Sequence, residues 1–355
     1  MNTTSLKPGS LLTYAIDSGY PESILYGYKL DLLTETDYSK LIECNVIDDI
    51  RVYLQTTSYG DVFDTLTPNL DVSAIKKACT AKLAQEFEYL RCNSVEPLST
   101  FLEYIRMAYM IDNVILLIAG AIRDTNVESL REKCHPLGIF EGMQSLTIEQ
   151  SLYDLYNLIV IETNLAPYFQ KCLSVEDLDE LNIEIVRNTI YRAYLEDFHA
   201  FCKKLGGTTA ELMNELLSFE ASRRSINITL NSFNTELRRD ERAKLYPRLG
   251  PLDPEGLRRL ELADNFDQVR DALQFYPVYK QLFDEVSSDP DKTLEDVFFK
   301  YEAQLNKLSF MCVANYACFY SYFKLKEQEI RNIVWISECV VQSQKQRIGD
   351  YISVS

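Results

Sequence analysis

Carboxylates are the first residues of this chain to consider for chemistry, because a positioned pair of acids can perform general acid and base catalysis. Two adjacent acidic pairs, Glu176-Asp177 and Asp179-Glu180, follow Ser174 closely. That spacing is typical of a helix N-terminus, where the helix dipole favours carboxylates. A third pair, Asp48-Asp49, lacks the further aspartate of an aspartate-rich diphosphate site. The acids therefore indicate a solvated helix start after Ser174 and weaken the case for a helical prenyl-transfer enzyme.

Metal and nucleotide chemistry also lack a basis in the sequence. The chain has two histidines, His135 and His199, and a metal site needs more ligands at suitable spacing. Phosphate-cradling glycine loops, the HExxH zinc motif and the GxSxG hydrolase motif are absent from the sequence. We therefore assign no catalytic, cofactor-binding or metal-binding residue, expect no cofactor, and predict that the isolated chain neither binds nor hydrolyses ATP.

Basic residues at two places could pair with a partner protein. Arg223-Arg224 and the segment Lys324–Arg331 stand out in a chain of net charge −17. Arg223, Arg224 and Arg331 are accordingly candidate interface residues that could bind a partner's carboxylates. The other interpretation is pairing within the chain, with Glu220, Glu327 or Glu329 at helical spacing.

A long internal repeat gives the clearest sign of organisation. Similar apolar stretches place asparagines at Asn113, Asn227 and Asn332, at intervals of 114 and 105 residues, and Pro136 and Pro247 trail the first two. Such a period is typical of stacked structural units that present a surface. We expect each asparagine to bond to a neighbouring helix and fix its register. Trp335, the only tryptophan, follows Asn332 and is expected to be a buried anchor.

The elements that position these residues are predicted to be helices, so the fold class is all-α. Glycine and proline are scarce, and no stretch alternates with period two between hairpin turns. Capping boxes are predicted at Thr34, Ser174, Thr208 and Thr293. The apolar residues Ile183, Val186, Ile190, Tyr194, Phe198 and Phe201 recur at helical spacing and predict one buried face. The repeat divides the chain into three helical domains, residues 1–142, 143–252 and 253–355, the last with a C-terminal helix.

Composition excludes several classes of partner. Net charge −17 disfavours nucleic acid and direct adhesion to anionic lipid, so any membrane association should run through a protein. Nine scattered cysteines without a CxxC pair predict reduced thiols in a cytosolic chain. No secretory signal or membrane span is predicted, because the longest uncharged stretches, such as Leu308–Phe323, are too short.

Several blocks of the chain resemble the d subunit family of the eukaryotic V-type proton ATPase, which is related to the C subunit of archaeal-type rotary ATPases. The blocks span most of the chain and include YMIDNVILLIAG (109–120), CHPLG (134–138), LAPYF (165–169), ELNIEIVRNTIYRAYLEDF (180–198), FEASRRSINITLNSF (219–233), DKTLEDVFF (291–299) and KEQEIRNIVWISEC (326–339). The departures lie near the N-terminus, where Pro21 is expected to interrupt the first helix and Tyr26 stands where the family tends to have arginine.

The resemblance implies a three-domain funnel with pseudo-threefold symmetry. It also implies a non-catalytic role in a rotary pump, joining the central stalk to the proteolipid c-ring and transmitting torque for proton transport. The implied partners are the c-ring, the central-stalk subunits and the a subunit. The implied location is the cytoplasmic face of vacuolar, lysosomal or endosomal membranes, where the pump would drive vacuolar acidification.

Two other classes stay open at this stage: an all-α scaffold unrelated to the pump, and a helical-cleft enzyme. An enzyme would need clustered His, Asp or Glu side chains on facing helices, and the sequence offers no convincing set. A generic helical solenoid repeats every ~20 to 50 residues, whereas the period here is more than twice that.

Overall fold

The computed structural model describes residues 11–64, 66, 70–123, 127–140, 142–143, 157–159, 161, 163–172, 183–289 and 292–354. Every regular element within these ranges is a helix, which confirms the all-α prediction. The α-helices are α1 (Leu11–Leu30), α2 (Glu35–Glu43), α3 (Ile47–Leu54), α4 (Gly60–Phe63), α5 (Val72–Cys92), α6 (Leu98–Ile122), α7 (Val127–Lys133), α8 (Ala166–Cys172), α9 (Ile183–Leu205), α10 (Gly207–Asn231), α11 (Arg239–Leu245), α12 (Glu255–Leu262), α13 (Phe266–Leu273), α14 (Pro277–Ser288), α15 (Leu294–Leu308) and α16 (Ala317–Val341). Short 3₁₀ turns lie at Pro136–Gly138 and Ser309–Met311.

The chain divides into two compact units. Unit 1 comprises Met1–Leu102 together with Phe299–Ser355, and unit 2 comprises Glu103–Phe298. Described segments from the N-terminal and C-terminal parts of the chain therefore belong to one unit, an arrangement that the linear repeat did not predict.

Helix α16 is the centre of unit 1. Eighteen of its 25 residues are buried, and the helix packs against α1, α3 and α5. Aromatic rings fill these contacts: Phe323 lies 5.0 Å from the ring of Phe87, and Tyr322 stacks on Tyr28. A helix that is buried on most of its sides must be enclosed by other elements, and α16 buries several polar residues together with its apolar ones.

Local capping signals were predicted with mixed success. The side chains of Thr34 and Asp37 form a reciprocal capping box at the start of α2, and Thr293 and Asp296 do the same before α15. The predicted start at Thr208 is wrong, because α10 begins at Gly207 with Gly206 as its N-cap. The box predicted at Ser174 lies outside the described residues.

Helix α1 continues through Pro21, so the expectation of a break there is wrong. Proline removes one helical hydrogen bond and crowds the preceding turn. Packing on both sides of it holds the helix together: Pro21 and Leu25 are buried, and the Tyr14 hydroxyl donates to the carbonyl of Asn315 at 3.1 Å. Tertiary contacts thus outweigh the local preference of one residue.

Helices α9 and α10 form a hairpin in unit 2. Gly206 and Gly207 join them with φ angles of +72° and +56°, a left-handed conformation that favours glycine. The predicted apolar face of α9 is confirmed at Val186, Ile190, Tyr194 and Phe198, which are buried, while the two ends of the face, Ile183 and Phe201, are only half-buried.

Helix α6 packs against this hairpin. The hydroxyls of Tyr191 and Tyr194 donate to the carbonyls of Ala108 and Tyr104, at 3.2 and 2.8 Å. Within the described ranges, α6 is the one helix long and apolar enough to cross a membrane by length and composition, and half of its most apolar window is buried. Its contacts are those of a core helix of unit 2.

Candidate protein-interaction groove and buried charge network

Unit 1 buries an ion pair in its interior. Lys326 and Glu329 lie about one turn apart on α16; both side chains are 0% exposed, and Lys326 Nζ lies 3.0 Å from Glu329 Oε1. The contact is not aligned as a hydrogen bond, and the ammonium instead lies 4.2 Å from the ring centroid of Tyr59. Charges removed from water need close partners to offset their desolvation, so the surroundings of this pair decide its stability.

Both oxygens of Glu329 accept further hydrogen bonds. The Tyr59 hydroxyl donates to Oε1 at 2.7 Å, and the backbone N–H of Leu33 donates to Oε2 at 2.5 Å. Leu33 lies between α1 and α2, and Tyr59 is the residue before α4. One carboxylate on the C-terminal helix therefore holds two irregular segments from the N-terminal part of the chain.

A second carboxyl completes this network. Glu86 on α5 is 4% exposed and accepts a hydrogen bond from the Tyr322 hydroxyl at 2.6 Å. Burial raises the pKa of Glu86. Burial opposes the charged form of Lys326, but the carboxyls of Glu329 and Glu86 outweigh it and raise the pKa of Lys326. We call Tyr59, Glu86, Tyr322, Lys326 and Glu329 the buried charge network.

Two of the three repeated asparagines make the same double hydrogen bond. The amide of Asn113 donates to the carbonyl of His135 at 2.9 Å and accepts from its N–H at 2.7 Å. The amide of Asn332 pairs in the same way with Ile352, at 2.6 and 3.2 Å. Both amides are 2% exposed. The partner in each case is an irregular segment that returns onto the helix, whereas the sequence predicted a neighbouring helix.

Asn227 is placed differently. It is half-buried on α10, and the described part of the chain gives its amide no hydrogen-bond partner. The segment between α11 and α12, which contains Gly250, packs on α10 at a different place. A Cβ on Gly250 would lie 2.9 Å from the Cβ of Ser218, nine residues before Asn227. On α6, by contrast, a Cβ on Gly138 would lie 2.3 Å from the carbonyl of Tyr109, only four residues before Asn113.

Arg223 and Arg224 pair within the chain, as one of the two interpretations predicted. Arg223 Nε donates to Glu220 Oε2 at 2.9 Å, and Arg224 Nε donates to Glu220 Oε1 at 2.7 Å. The Arg224 guanidinium stacks 3.5 Å from the ring centroid of Tyr191. Burial opposes the charge of Arg224, but Glu220, Tyr191 and Asp112 together outweigh burial and raise its pKa. Two guanidinium groups thus share one buried carboxylate.

These arginines and Asn227 line one groove in unit 2, between α9, α10 and the segment leading into α11. Its volume is about 750 Å³, within the range of ~300 to 1,000 Å³ that is usual for ligand sites. Among the described residues, the charged groups that line it are Arg187, Arg223, Arg224, Arg238, Glu184, Glu236 and Glu241. Three amides line it as well: Asn188, Asn227 and Asn231. The lining holds four cations and three carboxylates, and the buried Glu220 that Arg223 and Arg224 share adds a fourth carboxylate, so the charges of this region nearly balance in a strongly acidic chain. We call it the arginine groove.

The remaining candidates share α16 in unit 1. Arg331 donates to Gln328 Oε1 at 3.0 Å and lies over the ring of Phe299 at 4.0 Å. Trp335 is half-buried; its Nε1 donates to the carbonyl of Arg347 at 3.2 Å, and the Arg347 guanidinium lies 5.3 Å from its ring. The expectation of a buried anchor at Trp335 is therefore wrong, because the polar edge of the indole needs a partner near the surface.

Both histidines have contacts within the protein. The His135 ring stacks on Tyr109 at 4.3 Å and accepts a hydrogen bond from the Leu137 N–H, and His199 Nε2 lies 2.9 Å from Asn214 Oδ1. No cluster of three or more His, Cys, Asp or Glu able to hold a metal occurs among the described residues. The acidic pairs at 176–180 lie outside those residues.

The sequence analysis missed the buried charge network. It named Glu329 only as a pairing partner for basic residues, and it did not name Glu86 or Tyr59. A usable signal existed: Glu86 falls on the apolar face that Leu83, Phe87 and Leu90 form on α5. A charge on such a face has to be paired once the helix packs.

Comparison with known proteins agrees with this architecture. Residues 21–351 match the family model described as ATP synthase (C/AC39) subunit. A V-type proton ATPase subunit d of Dictyostelium discoideum is 48% identical, over 98% of this chain and 98% of its own length. Proteins of the same name from Neurospora crassa and Saccharomyces cerevisiae are 47% and 38% identical, over 97% and 96% of this chain and 99% and 98% of their own lengths.

The helical architecture and the near-complete match define the class first: this is a chain of the type found as an all-helical subunit of rotary ATPases. Because identity to several curated relatives is well above 30% along almost the whole chain, the chain belongs to the V-type proton ATPase subunit d family.

Proposed function

We propose that this chain is a non-catalytic subunit of a V-type proton pump, in which it joins the central stalk to the proteolipid c-ring and transmits torque. The observation that supports this most strongly is the match to d subunits along almost the entire length of the chain. The chain would neither bind nor hydrolyse ATP, and its contribution would be mechanical.

An adaptor between two rotating parts has to resist deformation. The buried charge network supports such a role, because Glu329 holds α16, the α1–α2 connection and the residue before α4 together in one geometry. Hydrophobic contacts tolerate sliding, whereas a buried carboxylate that accepts two directional hydrogen bonds beside a buried ammonium does not. On this proposal, the network would give unit 1 the stiffness that torque transmission requires.

The partners and location follow from the proposed role. The c-ring and the central-stalk subunits would hold two different faces of the chain, and the a subunit would lie nearby at the cytoplasmic face of a vacuolar, lysosomal or endosomal membrane. Three similar domains, at residues 1–142, 143–252 and 253–355, would form a funnel with pseudo-threefold symmetry. The arginines 223, 224 and 331 stay candidate contacts for such partners.

A complementation experiment tests the proposal. An affinity-tagged chain is expressed in cells that lack their own copy, and the membranes are solubilised in detergent. We expect the tagged chain to co-purify with proteolipid and stalk subunits and to restore acidification of isolated vesicles. A chain that accumulates normally but neither co-purifies with these subunits nor restores acidification would contradict the proposal.

The non-catalytic part of the proposal has its own measurement. Titration of the isolated chain with ATP in a calorimeter should show no saturable binding at micromolar concentrations, because the sequence has no phosphate-cradling loop. Saturable binding in that range would show that the chain has a nucleotide site and would overturn this part of the proposal.

A further inference from the structure

We propose that the arginine groove of unit 2 binds an extended acidic peptide segment of another protein, with the Asn227 amide pairing with the peptide backbone. No residue of the groove is assigned to such a role by the resemblance or by the names of the relatives. The inference is drawn from the amides that line the groove, from its charge and from its size.

The amides give the first argument. Asn227 and Asn231 lie one turn apart on α10, and Asn188 lies opposite on α9. Within the described part of the chain none of these three side chains has a hydrogen-bond partner. An asparagine amide offers one acceptor and two donors, which match the N–H and C=O of a single peptide residue.

The protein itself shows this mode of recognition twice. Asn113 and Asn332 each pair through both amide atoms with the backbone of one residue in an irregular segment, His135 and Ile352. Asn227 has the same side chain on a helix of the same kind, but its own returning segment packs at Ser218. The backbone partner that the other two asparagines find within the chain is therefore left for an external segment at Asn227.

The charges select an acidic segment. Arg238 is exposed at the groove, Arg187 lines it 3.3 Å from Glu184, and Arg223 and Arg224 line it while sharing Glu220. A guanidinium can bind a carboxylate in a planar, two-point contact. The chain as a whole has net charge −17, so this groove, where four arginines balance the nearby carboxylates, repels an acidic segment less than the rest of the molecule does, and the exposed Arg238 can bind a carboxylate directly.

The three glutamates of the lining separate this partner from a polyphosphate or a nucleic acid. Glu184, Glu236 and Glu241 limit the net positive charge of the lining. Dense phosphate charge is bound by basic patches with little opposing charge. A peptide with spaced carboxylates and free backbone amides fits the mixture of arginine, glutamate and asparagine better.

The source of the peptide rests on the proposed function, because within a proton pump the nearest candidates are segments of neighbouring subunits. The recognition chemistry does not depend on that source. Binding of an acidic segment from a protein outside the pump would support the peptide-binding role of the groove. The proposed function would then be tested separately, by co-purification.

Photo-crosslinking in the assembled complex tests the inference. The photoreactive residue p-benzoylphenylalanine replaces Thr235, an exposed residue that lines the groove, and in a control it replaces Glu211, an exposed residue of α10 outside it. After illumination of intact membranes, the crosslinked peptides are identified by mass spectrometry. We expect the Thr235 position to crosslink to a segment of another protein with several Asp or Glu residues, and the Glu211 position not to do so.

Two substitutions then test the named contacts. Asn227→Leu keeps the branching at Cγ but removes the amide, and it should lower the Thr235 crosslink yield about tenfold, since two backbone hydrogen bonds are lost. Arg238→Glu should lower the yield about fivefold by reversing one charge, whereas Arg258→Glu, an exposed arginine outside the groove, should leave it unchanged. Asn227→Ala serves as a second variant if the leucine variant does not accumulate.

Three results would overturn the inference. Crosslinks from Thr235 confined to this same chain would mean that the groove is filled internally. Crosslinks to lipid, nucleic acid or a segment without acidic residues would mean that the wrong partner chemistry was inferred. An unchanged Thr235 crosslink yield in the folded Asn227→Leu and Arg238→Glu variants would contradict the proposed contacts, even if an acidic segment lies nearby.

Discussion

The buried charge network of unit 1 and the arginine groove of unit 2 use similar residue types in opposite ways. In the network, Glu329 receives a lysine, a tyrosine hydroxyl and a backbone N–H, all within the protein interior. In the groove, the arginines and Asn227 line an open volume of about 750 Å³. A polar group that is closed off by partners holds structure, whereas one that faces an open groove remains available for recognition.

This difference assigns separate tasks to the two units. Removing a residue from the network leaves a buried group without its partner, so the stability of the fold should suffer. Removing Asn227 or Arg238 from the groove leaves only a gap that water can fill, so binding should suffer while stability stays near the wild-type value. Each of the following substitutions tests one side of this distinction.

The largest effect is expected from breaking the ion pair of the network. Glu329→Gln should lower the free energy of unfolding by about 3 to 5 kcal/mol, because Lys326 is left buried without its carboxylate. The double variant Lys326→Met, Glu329→Gln should lose less than that, since the unpaired charge is gone. Urea denaturation followed by circular dichroism measures both.

The control for this pair is the exposed ion pair Arg258–Glu255 of α12. Arg258→Ala should leave the unfolding curve unchanged within error. A double variant that loses as much as Glu329→Gln and the single variant Lys326→Met together would contradict the interpretation that Lys326 and Glu329 stabilise the fold as a pair.

Alkaline pH should weaken the same network. Burial and neighbouring carboxyls raise the pKa of Tyr59 and Tyr322 well above 10.0, and the carboxyls of Glu329 and Glu86 raise the pKa of Lys326 above 10.5 although burial opposes its charge. Their protonated forms are therefore favoured by folding, and the stability they provide is fully present below pH 10 and is lost as pH rises through their folded pKa values. We expect the free energy of unfolding to fall steeply above pH 10.

The measurement follows tyrosinate absorbance and circular dichroism together as pH rises. Ionisation of a fraction of the tyrosines should coincide with loss of helix, because those tyrosines deprotonate only when the fold opens. Complete tyrosine ionisation while the helical signal stays intact would contradict the raised pKa values in the network.

The three asparagines give a smaller and more discriminating comparison. Asn113→Leu and Asn332→Leu should each lower the free energy of unfolding by about 1 to 3 kcal/mol, because a buried backbone N–H and C=O lose their partner. Asn227→Leu should change it by no more than ~0.5 kcal/mol, since no contact within the described chain is lost. Equal destabilisation by all three variants would contradict the assignment of Asn227 to recognition.

Trp335→Ala should cause a smaller loss of stability than a break in the buried charge network. Because the indole is half-buried, Trp335→Ala should lower the free energy of unfolding by about 1 to 2 kcal/mol, less than the ~3 to 5 kcal/mol expected for a fully buried ring. The exposed Lys345→Ala is the matched control and should stay within ~0.5 kcal/mol of wild type. A loss as large as that of Glu329→Gln would show that Trp335 anchors the core after all.

The sequence predicted the features of the fold that depend on nearby residues. The capping boxes at Thr34 and Thr293 and the buried face of α9 depend on residues within a few turns, and they were predicted correctly. The buried environment of Lys326 and Glu329 depends on α5 and the loops near Leu33 and Tyr59, about 240 to 300 residues away along the chain. No local pattern contains that information.

The features of the candidate site likewise separate into those that local spacing predicted and those that only the folded geometry shows. Arg223 and Arg224 were found from their types, and their pairing with Glu220 from i,i+3 and i,i+4 spacing. That Asn188, Arg238 and Asn227 line one groove could be seen only from the geometry of the α9–α10 hairpin and of the chain that follows it. The double hydrogen bonds of Asn113 and Asn332 likewise could not be predicted without the positions of the segments that contain His135 and Ile352.

The most direct test of the account is the number of protons pumped per ATP hydrolysed in isolated vesicles that carry a weakened charge network. Tyr59→Phe removes one hydrogen bond to Glu329 while keeping the ring, and Glu329→Gln removes the ion pair; hydrogen exchange in α16 verifies that each variant is softened, and Arg258→Ala is the control. We predict that pumping falls more than ATP hydrolysis, or that the ATP-hydrolysing sector detaches, with the larger effect for Glu329→Gln. Softened variants that retain wild-type pumping per ATP and full attachment would contradict the claim that stiffness of unit 1 transmits torque.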